Sequence, residues 1–345
     1  MKVRARTVVS GIIVLLVLLV VGGITAIGWQ VVLGPDARPL TNRTFERTPA
    51  RLARGEYLVQ GPTHCFHCHS EHDLTRPDGP IKREKMGAGW ELPVPELGTI
   101  YAPNITPDPE TGIGKWSDDA IARAMQEGVD ANGRALFPVM PWTDFRNLDN
   151  EDVASIVVYL RSIPPVKNTV PPSKLNFPLN FIVNTIPKPL AAHADPPART
   201  TAVARGQYLV KTVAGCPGCH TPADNQGKAL PGLAFAGGEP FHDPFHAGAV
   251  VSSVNITPDA SGIAHYDEAL FIQTIRTGKI GGRQLSPIMP FEFFKNMSDD
   301  DLRDIFAFLK TVAPVKHRVD NTDPPELCPL CNYTHGLGSK NLKAK

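Results

Sequence analysis

Two five-residue stretches carry the most reactive side chains of this sequence: CFHCH at Cys65–His69 and CPGCH at Cys216–His220. Each offers two thiols and an imidazole. A zinc ion wants four ligands in a tetrahedron, and three donors packed into five residues serve one ion poorly. A redox dithiol opens a helix in a βαβ setting, which the surrounding pattern lacks. A plain disulfide leaves the histidine, and its recurrence, unexplained. The remaining chemistry is covalent attachment of haem: two thioethers on the porphyrin edge, with the following histidine ligating iron from one face. This reading makes Cys65, Cys68, Cys216 and Cys219 attachment residues and His69 and His220 axial ligands. It implies two covalently bound haem c groups.

A six-coordinate electron-transfer haem needs a second axial ligand from distant sequence, usually His or Met. Among the methionines, only Met140 and Met289 stand in matching surroundings, each in P-x-M-P. Met125 and Met297 align with Ile275 and Leu148 and read as core. Met140 and Met289 are therefore the expected sixth ligands. The histidines His64, His67 and His72 have no counterparts in the second stretch and read as solvated. His67 is tethered on the proximal side and cannot reach the distal one. His242 and His246 are the alternative to Met289 if the second site is bis-histidine, and His265 is likewise unmatched. Trp116 and Arg134, the latter matched by Arg283, read as core and solvated side chains.

The motifs sit in a duplicated frame. RGEYLV (Arg54–Val59) returns as RGQYLV (Arg205–Val210), and NITPD (Asn104–Asp108) returns unchanged at Asn255–Asp259. GRALFPVMP (Gly133–Pro141) returns as GRQLSPIMP (Gly282–Pro290). LDNEDVASIVVYLRSIPPVK (Leu148–Lys167) returns as MSDDDLRDIFAFLKTVAPVK (Met297–Lys316). Ordered matches at one offset mean tandem duplication. The expected units are a 1–36 anchor, a first domain over 45–167, a proline-rich linker over 168–199, a second domain over 200–317 and a tail over 318–345. The fold expected is mainly α. Each copy runs from a leading helix (Ala53–Gln60 in the first) through a Gly/Pro-rich middle to a closing helix (Asp149–Ser162 in the first, with Asp149 as cap). Ser117 caps a helix to Glu127, and Ser298 with Asp301 reads as a capping box. The linker stretch FPLNFIVNTI is apolar enough to pack on a domain or a membrane surface.

The N-terminus has Lys2, Arg4 and Arg6, then no charged side chain from Thr7 to Pro35. Its apolar run exceeds the core of a cleaved signal peptide and suits a transmembrane helix. The basic residues put the start on the cytoplasmic side. The expected location is a bacterial inner membrane, single-pass, with the remainder in the periplasm. With 35 Lys+Arg against 34 Asp+Glu, no global basic field points to nucleic acid.

On these motifs the sequence resembles class I c-type cytochromes. The stretches Tyr101–Trp142 and Val157–Val166 look like the cytochrome c subunits of membrane-bound, quinone-linked alcohol, aldehyde and gluconate dehydrogenases. The likeness covers most of Arg54–Pro178 and, more loosely, Arg205–Lys316. It implies two tandem class I domains behind the anchor, relaying single electrons. Donor and acceptor would be redox proteins such as a membrane-bound dehydrogenase, a quinol-oxidising complex or a terminal oxidase. A dihaem redox enzyme, peroxidase-like or thiosulfate-oxidising, is the alternative. The sequence departs from the family in having two such domains rather than three. Its tail holds CPLCNYTHG (Cys328–Gly336), with Asn332 where a ligand histidine would stand. A disulfide between Cys328 and Cys331 is the first reading of that tail, and metal binding through Cys328, Cys331 and His335 the second.

Overall fold

The computed structural model describes residues 2–191, 199–246 and 249–342, with the side chains of the first helix described over 10–25. That helix, α1 (Lys2–Ile27), leads to a single turn, α2 (Gln30–Leu33). Among the described residues no helix is long and apolar enough to cross a membrane.

The first repeat is organised by two crossing helices. Thr48 starts α3 (Pro49–Gln60) by accepting the Arg51 N–H at 3.2 Å, with Pro49 in the first turn where its missing N–H is harmless. α3 begins four residues earlier than the apolar pattern suggests, because the cap and proline extend it. Leu58 and Val59 pack on Val153, Ile156, Val157 and Leu160 of α7 (Asn150–Leu160). Gly55 permits the close approach: a Cβ there would stand 2.7 Å from Tyr159 Cβ, with the Ser155 carbonyl oxygen nearer still. Arg54 then clamps Asp152 of α7 at 2.8 and 3.0 Å. Between them lie α4 (Cys65–His69), the short strands β1 (Trp90–Leu92) and β2 (Gly98–Ala102), α5 (Asp118–Glu127) and α6 (Trp142–Phe145). Ser117 caps α5 as its sequence requires, accepting from Ala120 N at 3.1 Å.

The connection after α7 adds β3 (Lys174–Leu175), antiparallel to β2, and α8 (Leu179–Ile182). Residues 192–198 of the expected linker lie outside the described residues.

The second repeat reuses the plan. Thr201 caps α9 (Ala202–Tyr208), which runs on as a π-helical turn, Leu209–Val213, into α10 (Cys216–His220). The hairpin β4 (Pro240–Asp243) and β5 (Ala249–Ser252) follows, then α11 (Glu268–Thr277), β6 (Lys279–Ile280), β7 (Arg283–Gln284), α12 (Phe291–Phe294) and α13 (Asp299–Leu309). Gly206 sits at the crossing of α9 with α13, and Arg205 clamps Asp304 at 2.6 and 2.9 Å. In both repeats the NITPD asparagine folds the middle loop onto the chain beyond the closing helix. Asn104 Nδ2 donates to the Val166 carbonyl at 2.8 Å, and Asn255 Nδ2 to that of Val315 at 2.8 Å. The tail closes with β8 (Pro325–Leu327) paired to β9 (Thr334–Gly336).

The repeats meet through a reciprocal contact. Tyr208 donates to Asp152 Oδ2 at 2.7 Å and accepts from Asp149 N at 3.1 Å. Tyr57, its repeat mate, donates to Asp301 and accepts from Ser298 N at 3.1 Å. Each tyrosine thus reaches the first turn of the other repeat's closing helix, the pattern of a two-fold interface. Two expected caps are altered by it. Asp149 makes no side-chain cap and instead binds Arg199 at 2.6 and 2.5 Å. Ser298 caps α13 through Asp301 N at 3.1 Å, but the Asp301 carboxylate serves Tyr57 instead of closing the box.

Candidate functional site

Both C-x-x-C-H segments fold as a single short helix entered from a left-handed residue, His64 (φ 39°) for α4 and Gly215 (φ 61°) for α10. On a helix, residues three and four apart share a face. Cys65, Cys68 and His69 are therefore gathered on one side, as are Cys216, Cys219 and His220. All four cysteines are unbridged.

The two histidines are braced alike. His69 Nδ1 donates to the Pro103 carbonyl at 2.7 Å, and His220 Nδ1 donates to that of Val254 at 2.8 Å. Burial holds both imidazoles below their ordinary pKa, and the carbonyls oppose it only in part. Each ring is therefore neutral, with its proton fixed on Nδ1. Nε2, which has no partner among the described residues, is left available to ligate a metal. A carbonyl holding the far nitrogen is the usual way to orient a metal-ligating histidine.

Met289 joins this set in the second repeat. A cavity of about 870 Å³ is lined by Cys216, Cys219, His220 and Met289, with Phe271 and Ile275 among its apolar walls. Its lining is mostly apolar with a few polar groups, as cofactor sites are. In the first repeat Cys65, Trp116 and Met140 pack half-buried against the core. The two methionine loops share their turns: Met140 N donates to Phe137 O at 3.1 Å and Met289 N to Ser286 O at 3.3 Å. Two thiols, one oriented imidazole nitrogen and one thioether around an apolar cavity fit a covalently held haem.

Other histidines fall differently from expectation. His72 is buried, not solvated, bonding Gly79 O at 2.6 Å and His67 O at 2.7 Å. His64 packs edge-on to Phe294 and His67 to Phe293, so both are covered by the second repeat. Burial, with His72 and His64 adding to it, keeps His67 well below its ordinary pKa. His246 lines the second cavity but has Nδ1 on Asp243 at 3.0 Å, whereas His242 pairs with Glu96. His265 is exposed against Tyr266. Arg134 is an exposed partner of Asp130, and its mate Arg283 lines the second cavity.

The sequence did not reveal that the first repeat's methionine loop reaches the second motif. Burial, then the Cys65 and Cys219 thiols, push Cys68 up to about 12. Asp144, just after the first methionine, sits against Gly215 of the second motif, and burial raises its carboxyl to about 6. The matching tyrosines of the repeat were the signal available for this interface.

Residues 52–164 match the family model described as cytochrome c. The chain carries a cytochrome c domain. Among similar proteins, a nicotinate dehydrogenase subunit of Pseudomonas putida is 33% identical over 225 residues, 62% of this chain and 17% of that protein. The cytochrome c subunit of a quinone-type alcohol dehydrogenase from Gluconobacter oxydans is 27% identical over 285 residues, 77% of this chain and 55% of that subunit. A diheme cytochrome c-type protein of Cereibacter sphaeroides is 28% identical over 281 residues, 79% of this chain and 89% of that protein. The chain thus spans less than two thirds of the first two relatives. A cytochrome c domain binds haem covalently through C-x-x-C-H, which in 52–164 is Cys65, Cys68 and His69.

Proposed function

We propose that this chain is a membrane-anchored dihaem electron carrier, with a second cytochrome c domain over 200–317 and Met140 and Met289 as sixth ligands. The observation that carries the reading is the repeated carbonyl-braced histidine beside paired thiols, in two repeats joined by a reciprocal interface. When bound, haem iron changes oxidation state by one electron. The protein's part is to hold and insulate. Pro103 and Val254 orient the imidazoles. The methionine thioethers, weak donors, favour a high potential. Apolar walls at Phe271 and Ile275 exclude water and disfavour additional positive charge.

Placement at a membrane is supported by α1, whose side chains from Ile12 to Val21 are each at least 43% exposed. Trp29, Val32 and Leu33 in and beside α2, and Phe177, Phe181 and Ile182 in and beside α8, add exposed apolar surface where α2 meets α8. This surface suits a bilayer interface at the foot of the anchor. The names of the relatives favour a dehydrogenase as electron donor.

Haem content of the purified chain tests the count, with two per chain expected. Reduced wild-type protein should not bind carbon monoxide, and Met289→Ala should bind it at one haem. One haem per chain, or carbon monoxide binding by wild type, would overturn the relay reading. Comigration of the mildly solubilised protein with a flavin or quinoprotein subunit tests the partner. Retention in the membrane after alkaline washing tests the anchor.

A further inference from the structure

The tail after α13 folds back on the second repeat and brings a third C-x-x-C pair, Cys328 and Cys331, against it. Cys328 and Cys331 sit on a turn between β8 and β9. Asn332 adopts φ 64°, and its N–H returns to Cys328 O at 2.9 Å. His335 lies in β9, and His317 comes from the chain just beyond α13. His317 and Cys328 are fully buried, and Cys331 and His335 are each 2% exposed. Their ligand atoms all lie within 4.8 Å of one another.

We propose that these four residues form a structural zinc site that fastens the tail to the second repeat. The two thiols are unbridged, and each faces an imidazole nitrogen: His317 Nε2 to Cys328 Sγ at 3.3 Å, and His335 Nε2 to Cys331 Sγ at 3.4 Å. In a tetrahedron with Zn–S of about 2.3 Å and Zn–N of about 2.0 Å, sulfur and nitrogen stand about 3.5 Å apart. Both observed separations are close to this. His317 Nδ1 donates to the Ala236 carbonyl at 2.9 Å, which fixes Nε2 as its ligand atom. A mixed sulfur and nitrogen tetrahedron is zinc's preferred structural set.

The surroundings are shaped for four donors. Gly238 (φ 97°) forms one wall, where a Cβ would stand 2.7 Å from His317 Cε1, 3.3 Å from Cys331 Sγ and 3.5 Å from His335 Nε2. Among the described residues the apolar core here consists of Leu233, Ala236 and the two cysteines, with a few partly buried neighbours. So small a core holds a loop-rich tail poorly without a staple. A disulfide would supply one but would leave two buried imidazoles facing consumed sulfurs. Zinc uses all four: Zn²⁺ binds two thiolates and two neutral imidazoles, and the two thiol protons go to solvent. Four protein ligands leave no open position, so the site is structural. It also backs the second haem motif, because Gly237 N donates to the His220 carbonyl at 2.8 Å.

The test uses the full haem-loaded chain, purified without a metal-affinity tag and dialysed against metal-free buffer. Elemental analysis should find one zinc per chain. Zinc-edge X-ray absorption should give two sulfurs at about 2.3 Å and two nitrogens at about 2.0 Å. In Cys328→Ser/His335→Asn zinc should fall at least about tenfold, the scale that loss of outer-shell partners alone sets, while haem content per chain is kept. Should that variant not fold, the absorption spectrum of wild type decides alone. A zinc-free wild type in which both cysteines resist alkylation until reduced would overturn the proposal in favour of a disulfide. Zinc with an oxygen-only shell would overturn it as well.

Discussion

Replacing Gly206 with alanine tests whether the helix crossing organises the second repeat. A Cβ at 206 would stand 2.5 Å from the Asp304 carbonyl carbon and 2.9 Å from Phe308 Cβ, with the Asp304 oxygen nearer still. These partners are backbone and a core side chain, so they cannot swing aside. Restoring ordinary contact requires α9 and α13 to part by about 1 Å, a gap that forfeits a quarter to a half of each dispersion contact. Overpacking of this kind costs about 1–3 kcal/mol. Here the upper end applies, because the adjacent Arg205–Asp304 clamp is stretched too. Alanine returns roughly 1 kcal/mol of helix propensity. The net loss is then about 2 kcal/mol. At about 4 °C per kcal/mol for a unit of this size, the Tm should fall by about 8 °C. Calorimetry of the haem-loaded protein reads this directly. An unchanged or raised Tm would refute the reasoning. Gly55→Ala, with Tyr159 Cβ at 2.7 Å, should behave alike in the first repeat.

Other consequences are equally measurable. Burial lifts the Asp144 carboxyl to about 6, so the folded state favours its protonated form. Its stabilising share is full below the ordinary aspartate value near 4 and is lost as pH rises through 6. Asp144→Asn should therefore flatten the decline in urea midpoint between pH 4 and 7, and an unaltered slope would contradict the placement. Tyr208→Phe removes two hydrogen bonds to the first repeat and should lower stability by about 1–2 kcal/mol. Pairing it with Tyr57→Phe should depart from additivity, because Arg54 holds Asp152 and also lies over the Tyr57 ring. Asn255→Ala strands the buried Thr257 N–H and the His317 carbonyl, and should cost about 1–3 kcal/mol by urea denaturation.

Much of this was legible in the sequence because it depends on local spacing. C-x-x-C-H forces two sulfurs and a nitrogen onto one helical face, and the repeat singles out Met140 and Met289. The RG pair in RGEYLV and RGQYLV has a plain meaning once folded: arginine clamps the closing helix and glycine lets it approach. What the sequence hid depends on the packing of one repeat against the other. Nothing local to His64 or His67 announces that Phe294 and Phe293 will cover them. Asp149 has the residue type of a cap, but Arg199 competes for it across the interface. His317 is hidden for the same reason, because it lies eleven residues before Cys328 and only the fold of the tail brings them together.

The reciprocal tyrosine contact has a consequence for how little adhesion the two halves need. An interface in which each partner offers the same residue to the same site of the other is what two identical subunits would make. Here one chain supplies both, so the second half is always present at the millimolar effective concentration that a short tether imposes. A contact too feeble to hold separate subunits together at cellular dilution is ample in this chain. The halves are thereby freed to diverge. The first keeps histidines at 64 and 67 where the second has Gly215 and Gly218, so the two motifs are in register but differently covered. A duplicated chain can in this way acquire a direction that a symmetric dimer cannot have.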